Sequence, residues 1–245
     1  MRTVLLGATR GMGRSLARRL VEREHEVFLL GRDETELSRS ARDLEIRGAE
    51  GRVGFAACDL LEPAAFGPAL DLADETLGGF DAVVVSAGIF ASQEELEQDP
   101  AACRLLLDTN FTHTILFCEE ARRRLIRQGG GTLCAFSSVA GDRARKPVVL
   151  YGAAKAGLSH YLEGLDHRFR SRGLVTVCVK PGFVRTSMTA ELDPPPFAGE
   201  PDGVARRVVR ALERGRPVVY VPAVWRLILA VIRRLPRALM RRLSF

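Results

Sequence analysis

The chain has 245 residues, 47% of them hydrophobic, which suits one large domain with a sizeable core and argues against disorder. Five cysteines without CxxC spacing and four scattered histidines argue against a disulfide framework and against a metal site. The net charge of +6 is uneven, because residues 204–245 hold eleven arginines against one acid, Glu213, while residues 1–203 carry a small acidic excess.

The opening "MRTVLLGA" stops at a glycine too early for a signal peptide, and no run reaches about 18 apolar residues. A cytoplasmic protein with no nucleic-acid partner is therefore expected. Apolar runs then alternate with helix-period segments. "TVLLGA" predicts a strand and "GRSLARRLVERE" a helix. "HEVFLLG" predicts a second strand, followed by a helix near "DETELSRSARDLEIRG". "GRVGFAACDL" and "FDAVVVSAG" predict two more strands around a helix at 63–78. A long helix at 102–128, the strand "GTLCAFSS" and a helix beginning near Tyr151 come next. "LVTVCVKPG", a helix at 202–214 and "PVVYVP" complete the series. Near-continuous apolar strands separated by helices predict an α/β fold, a doubly wound seven-stranded parallel sheet of Rossmann type covered on both faces. One domain is expected over 1–222, with a basic amphipathic tail over 223–245.

The first strand runs directly into "GATRGMG", with Gly7, Gly11 and Gly13, and a helix follows. Glycines there let backbone N–H groups approach a pyrophosphate, and the helix N-terminus adds its positive dipole end. The expected lining is Gly7, Thr9, Arg10, Gly11, Met12 and Gly13. The second strand ends at Gly31 and Arg32, where a strand that selects NAD ends in an acid. Asp33 lies one place further on and is expected to cap the next helix. Arg10 and Arg32 can clamp a ribose 2′-phosphate, so NADP(H) is the expected cofactor.

"YGAAKAGL" sets Tyr151 and Lys155 one helical turn apart on one face. A free phenol titrates near ~10, and an adjacent ammonium favours its phenolate, which brings it into range for proton transfer. Ser138, thirteen residues before the tyrosine, can hydrogen-bond a substrate carbonyl oxygen, with Ser137 as its rival.

The GxxxGxG spacing with YxxxK resembles the short-chain dehydrogenase/reductase family, departing at Leu6, where that family usually has threonine. The resemblance implies an adenine contact from "CDL" (Asp59, Leu60) and a cofactor contact from "SAG" (Ser86, Ala87, Gly88). Ser86 stands where the family usually has asparagine, and the change is expected to lose a strand-stabilising amide. "PGFVRT" resembles the segment that closes over the nicotinamide, which implicates Pro181, Gly182, Val184 and Thr186. Asn110 matches the asparagine that holds a water for proton relay through the lysine. Together Asn110, Ser138, Tyr151 and Lys155 make the tetrad of a ketone reductase or alcohol dehydrogenase. The family also implies a homodimer or homotetramer, through helices 102–128 and 151–171.

The tail carries Arg226, Arg233, Arg237 and Arg241 along one side, with Trp225, Leu227, Ile228, Leu229, Val231, Ile232 and Leu235 filling the rest. Such a helix is expected to lie on an anionic membrane at its inner face or on a partner subunit, and Pro236 divides it. "LYGAAKAGL", "PGFVRTSM" and "PAVWRLILAVIRRLPR" resemble the decaprenylphosphoryl-2-keto-erythro-pentose reductases. That resemblance implies a lipid-linked or long-chain carbonyl substrate. The alternatives are a 3-oxoacyl-carrier-protein ketoreductase, holding an acidic carrier on Arg122 to Arg124, and a non-catalytic NADP(H) sensor. Fold alone names no substrate.

Overall fold

The computed structural model describes residues 1–49, 53–195 and 197–243. Gly51 and Arg52 at the start of the expected third strand, Pro196 in the proline loop, and the last two tail residues lie outside them.

Seven strands form one parallel sheet in the order β3-β2-β1-β4-β5-β6-β7. They are β1 Arg2–Leu6, β2 Glu26–Gly31, β3 Val53–Ala57, β4 Ala82–Val85, β5 Gly131–Phe136, β6 Leu174–Pro181 and β7 Val218–Val221. The order runs outward from β1 in both directions, so the crevice between β1 and β4, beyond their C-terminal ends, is the switch point of the sheet. The helices are α1 Gly11–Val21, α2 Glu34–Leu44, α3 Phe66–Leu77, α4 Gln93–Gln98, α5 Pro100–Leu107, α6 His113–Arg127, α7 Val149–Phe169, α8 Pro201–Arg214, α9 Val224–Ile232 and α10 Arg237–Met240.

Both faces of the sheet are covered, which is why its strands read as unbroken apolar runs. On one face Phe66 and Leu70 of α3, Phe117 and Leu125 of α6, and Leu158 and Leu162 of α7 pack on Val83, Val85 and Leu133. On the other, Leu16 and Leu20 of α1, Leu37 of α2, and Val204 and Val208 of α8 pack on Leu5, Leu29 and Val177. Each such side chain contributes about 1.5–3 kcal/mol through burial.

Two local features differ from the sequence reading. The short α4, capped by Ser92 through Glu95 N, was not expected. The expected continuous helix at 102–128 is broken by a π-helical turn over Asp108–Thr112. The tail helix stops at Ile232, and Pro236 caps the single turn of α10, so it is divided as expected. Among the described residues no helix is long and apolar enough to cross a membrane.

Candidate active site

The chain leaves β1 at Leu6 and enters α1 within four residues, over the C-terminal edge of the sheet. Gly7 makes that turn at φ +93°, and a Cβ there would stand 2.5 Å from Ala87 N. At Gly13 a Cβ would stand 2.1 Å from Gly7 O. Side chains at these two positions would fill the space between loop, helix and β4. No side chain caps the start of α1 and its first turn holds no acid, so its N–H groups face a cleft of about 270 Å³. Gly7, Thr9, Arg10, Gly11, Met12, Gly13, Gly31, Arg32, Asp59, Leu60, Ser86, Ala87, Gly88 and Thr186 all line that cleft. A pyrophosphate suits such a cradle, in which backbone donors converge where no side chain fits.

Ser86 makes up in part for the amide it lacks. Its hydroxyl bonds Leu6 O at 3.1 Å and Gly7 O at 3.2 Å, so it still ties β4 to the end of β1 despite the missing amide. Asp33 caps α2, as expected, by accepting from Glu36 N at 3.0 Å. Arg10 and Arg32 are both exposed on the cleft wall.

Ser138 ends the loop after β5, and Tyr151 and Lys155 stand on the first turns of α7. Lys155 is buried, its Nζ donating to Phe136 O at 2.9 Å and lying 5.8 Å from the Tyr151 ring centroid. Burial drives the Lys155 ammonium down to about 8. Burial also pushes the Tyr151 phenol up to about 12, against a smaller downward pull from the Ser138 hydroxyl. Phe90 meets the Tyr151 ring edge-on at 5.3 Å.

The rival serine is committed elsewhere. Ser137 Oγ donates to Lys155 O at 2.8 Å and meets Ser159 Oγ at 2.7 Å, which ties β5 to α7. Ser138 Oγ accepts from Ala140 N at 3.1 Å, and its hydroxyl also meets the Tyr151 phenol and, at 3.5 Å, Pro181 O. The contact to Pro181 is too long to hold it strongly.

Asn110 lies in the π turn, fully buried. Its Nδ2 donates to Ile89 O at 2.7 Å and its Oδ1 accepts from Ile89 N at 2.9 Å, so the side chain braces the loop after β4. A Cβ on Gly88 would stand 2.8 Å from Asn110 Oδ1 and 3.5 Å from Lys155 Nζ. This glycine lets the two side chains close over the loop.

A second cavity of about 600 Å³ opens beside the first and shares Met12, Thr186 and Met188 with it. Ser138, Tyr151, Pro181, Gly182 and Val184 line it. Its far wall is the tail: Trp225, Ile228, Leu229 and Ile232 of α9. A Cβ on Gly182 would fall 1.9 Å from Trp225 Nε1, so the indole rests directly on that glycine. The apolar face expected to lie on a membrane is thus divided, with these four residues inward and Leu227 (71%) and Val231 (63%) exposed. The spacing of 225, 228, 229 and 232 carried that signal in the sequence. Phe90, Arg145 and Met188 also line the cavity, and no pattern in the chain marked them.

The arginines expected to hold an acidic carrier are neutralised within the chain. Arg122 pairs with Glu119 at 2.6 Å, Arg123 with Glu120 at 3.1 Å, and Arg124 with Asp71 at 2.6 Å.

Residues 2–196 match the family model described as short chain dehydrogenase. An uncharacterized oxidoreductase of Streptomyces coelicolor is 35% identical, covering 98% of this chain and 94% of that protein. An uncharacterized oxidoreductase of Mycobacterium tuberculosis is 32% identical, over 98% of this chain and 96% of its own length. Among solved structures, a variant actinorhodin polyketide ketoreductase with NADPH superposes at a TM-score of 0.81. It is 21% identical, with 90% of this chain and 95% of that chain covered.

Proposed function

Since the chain belongs to the short-chain dehydrogenase/reductase family of oxidoreductases, we propose that it transfers hydride between NADP(H) and a hydrophobic ketone or secondary alcohol. The observation that carries this reading is the shared wall. Met12, Thr186 and Met188 divide a glycine-floored cleft from an apolar cavity faced by Ser138 and Tyr151. When bound, a nicotinamide cofactor supplies or accepts the hydride and, in its oxidised form, adds a positive charge beside the phenol.

The protein's own residues perform the rest. Ser138 turns its proton to the carbonyl oxygen and stabilises the charge that grows there. Tyr151 delivers a proton to the same oxygen in reduction and removes it in oxidation. Lys155 sets its ammonium 5.8 Å from the centre of the Tyr151 ring, where a positive charge favours the phenolate that forms on proton loss. Asn110 positions rather than reacts, because both ends of its carboxamide are engaged by Ile89. A relay water would be held by the main chain of the π turn, where the helical ladder is interrupted.

A screen of NADPH oxidation against aliphatic and aromatic ketones tests the reading. Turnover supports an enzyme, and tight NADPH binding without turnover on any ketone supports a sensor. The paired state of Arg122 to Arg124 weighs against a carrier-bound substrate, and the apolar wall from α9 favours a long-chain or lipid-linked carbonyl.

Cofactor choice rests on Arg10 and Arg32 beside Gly31, where a Cβ would meet Leu37 Cδ2 at 3.4 Å, an ordinary contact. Gly31→Asp with Arg32→Ala is therefore tolerated by the fold. It should shift kcat/KM from NADPH towards NADH by about 10²-fold, as one of the two guanidiniums is lost and a repelling acid is added. A native protein that already prefers NADH tenfold would overturn the arginine reading.

The division into a domain at 1–222 and a tail at 223–245 gives the tail two roles in this proposal. Its inner face walls the cavity. Its outer face, with exposed Leu227 and Val231 among Arg226, Arg233, Arg234, Arg237, Arg241 and Arg242, meets an anionic membrane surface. Each arginine near such a surface contributes on the order of 1 kcal/mol, and salt weakens the attraction. Full-length protein should sediment with phosphatidylglycerol vesicles at low salt and be released at high salt. Leu227→Asp with Val231→Asp should abolish sedimentation and spare ketone reduction. If the variant falls apart into smaller oligomers instead, the outer face is a subunit contact.

A further inference from the structure

The substrate cavity contains two buried donors that no described residue satisfies. They are Arg145 Nε and Trp225 Nε1, two of the six buried side-chain polar atoms without a partner among the described residues. Both are donors only, since neither an indole nor a guanidinium nitrogen accepts. Among the described residues no aspartate or glutamate lines the cavity, and none satisfies Arg145 Nε. Its other polar groups are hydroxyls and backbone. Arg145 is half-buried as a whole. Taking a cation even partly out of water without a counter-charge is costly, and burial lowers its guanidinium from its usual range.

The loop that carries Arg145 is tightly held, so this position is not a loose rotamer on a free loop. Asp142, three residues earlier, accepts from Lys180 Nζ at 2.5 Å and from Tyr220 Oη at 2.6 Å, and its side chain is 4% exposed. Arg143 reaches the tail and donates to Leu235 O at 2.6 Å. One short loop is thus anchored to β6, β7 and the turn between α9 and α10, while Arg145 lines the cavity. Phe90, Val148, Ile228 and Ile232, all apolar, line the same cavity.

We infer that the cavity selects an amphiphilic carbonyl compound bearing one anionic group, a carboxylate or a phosphate, which pairs with Arg145 while its apolar part lies against α9. Arg145 is then a specificity-determining residue, distinct from the groups that move the proton. The inference rests on the cavity's being the substrate site, and it adds the charge of the substrate to that reading.

Trp225 is the single tryptophan of the chain and lies in the cavity wall, so its fluorescence reports occupancy without turnover. The full-length protein is titrated with octanoate, octyl phosphate and octanol below their aggregation limits. Either anion should bind at least about tenfold more tightly than octanol, the effect of one charge-assisted pair. The comparison of octanoate with octyl phosphate separates the two anion classes. Arg145→Gln should remove the preference and leave octanol binding unchanged, while Arg145→Lys should retain part of it. Arg145→Gln should also melt no lower than the native protein, because it removes an unpaired buried charge.

Equal binding of octanol and the anions by the native protein overturns the inference, as does an undiminished preference in Arg145→Gln. Arg237→Gln with Arg241→Gln should keep the preference. Its loss there would move the anion site to the outer face of the tail and also overturn the inference. Ketone turnover without anion preference defeats this inference alone, and anion preference without any turnover defeats only the oxidoreductase reading.

Discussion

Tyr151→Phe is expected to lower kcat for ketone reduction by about 10²–10⁴-fold while leaving the dissociation constant for NADPH near the native value. The substitution removes one oxygen and keeps the ring, so the edge-on contact with Phe90 at 5.3 Å and the packing of the first turn of α7 survive. What goes is the one phenol among the described residues of the cavity wall. Stopped-flow binding and steady-state turnover on one preparation separate the two effects. A variant retaining more than about a tenth of native kcat would remove Tyr151 from the proton transfer. The pH profiles should differ by direction. Reduction needs the protonated phenol, which burial pushes up to about 12, so its rate should be flat across neutral pH. Oxidation needs the phenolate, so its rate should climb by about tenfold per pH unit until the phenol titrates.

Lys155→Met should abolish turnover and, unlike most substitutions of buried residues, stabilise the fold. The lysine is 4% exposed, and burial lowers its ammonium from 10.5 to about 8. A base whose folded value lies below its unfolded one binds protons less well when folded. The native state therefore carries the full penalty below about pH 8 and loses it as pH rises towards 10.5. A shift of this size corresponds to about 3 kcal/mol, offset by about 1 kcal/mol for the lost hydrogen bond to Phe136 O. The net gain of about 2 kcal/mol near neutrality would raise Tm by roughly 4–8 °C. Native protein should also gain stability between pH 8 and 10.5, and the variant should not. A variant that melts lower than native at pH 7 would show that Lys155 is a structural brace. The cost of keeping an ammonium in the apolar layer beneath Tyr151 is the kind of local expense that function sustains.

The seven strands, the glycine turn after β1 and the pairing of Tyr151 with Lys155 were legible before any coordinates. Each rests on a local rule: burial on both faces leaves apolar runs, a backbone cradle excludes side chains, and one helical turn brings i and i+4 together. The cap made by Asp33 was legible for the same reason, since its acceptor and donor lie three residues apart. The 13-residue gap to Tyr151 already favoured Ser138 over Ser137. What occupies Ser137 was hidden, because its hydroxyl meets the backbone of Lys155, 18 residues away in the chain. The break at Asp108–Thr112 was hidden by an unbroken helical composition, and its brace is Asn110 reaching back 21 residues to Ile89.

The tail shows the division most clearly. Its composition determined that α9 would be amphipathic and basic, and its proline that the helix would stop. A hydrophobic period says that one side of a helix is apolar; it cannot say what covers that side, because the covering surface belongs to residues far away in the chain. Here Gly182 receives Trp225, and Arg143 holds Leu235, across 43 and 92 positions. Those contacts turned a face that could have met a membrane into the wall of a cavity. They also decided that Arg145, one arginine among 33, would stand there unpaired. Whether a charge has a partner depends on which surfaces close around it, and only the folded chain brings those surfaces together.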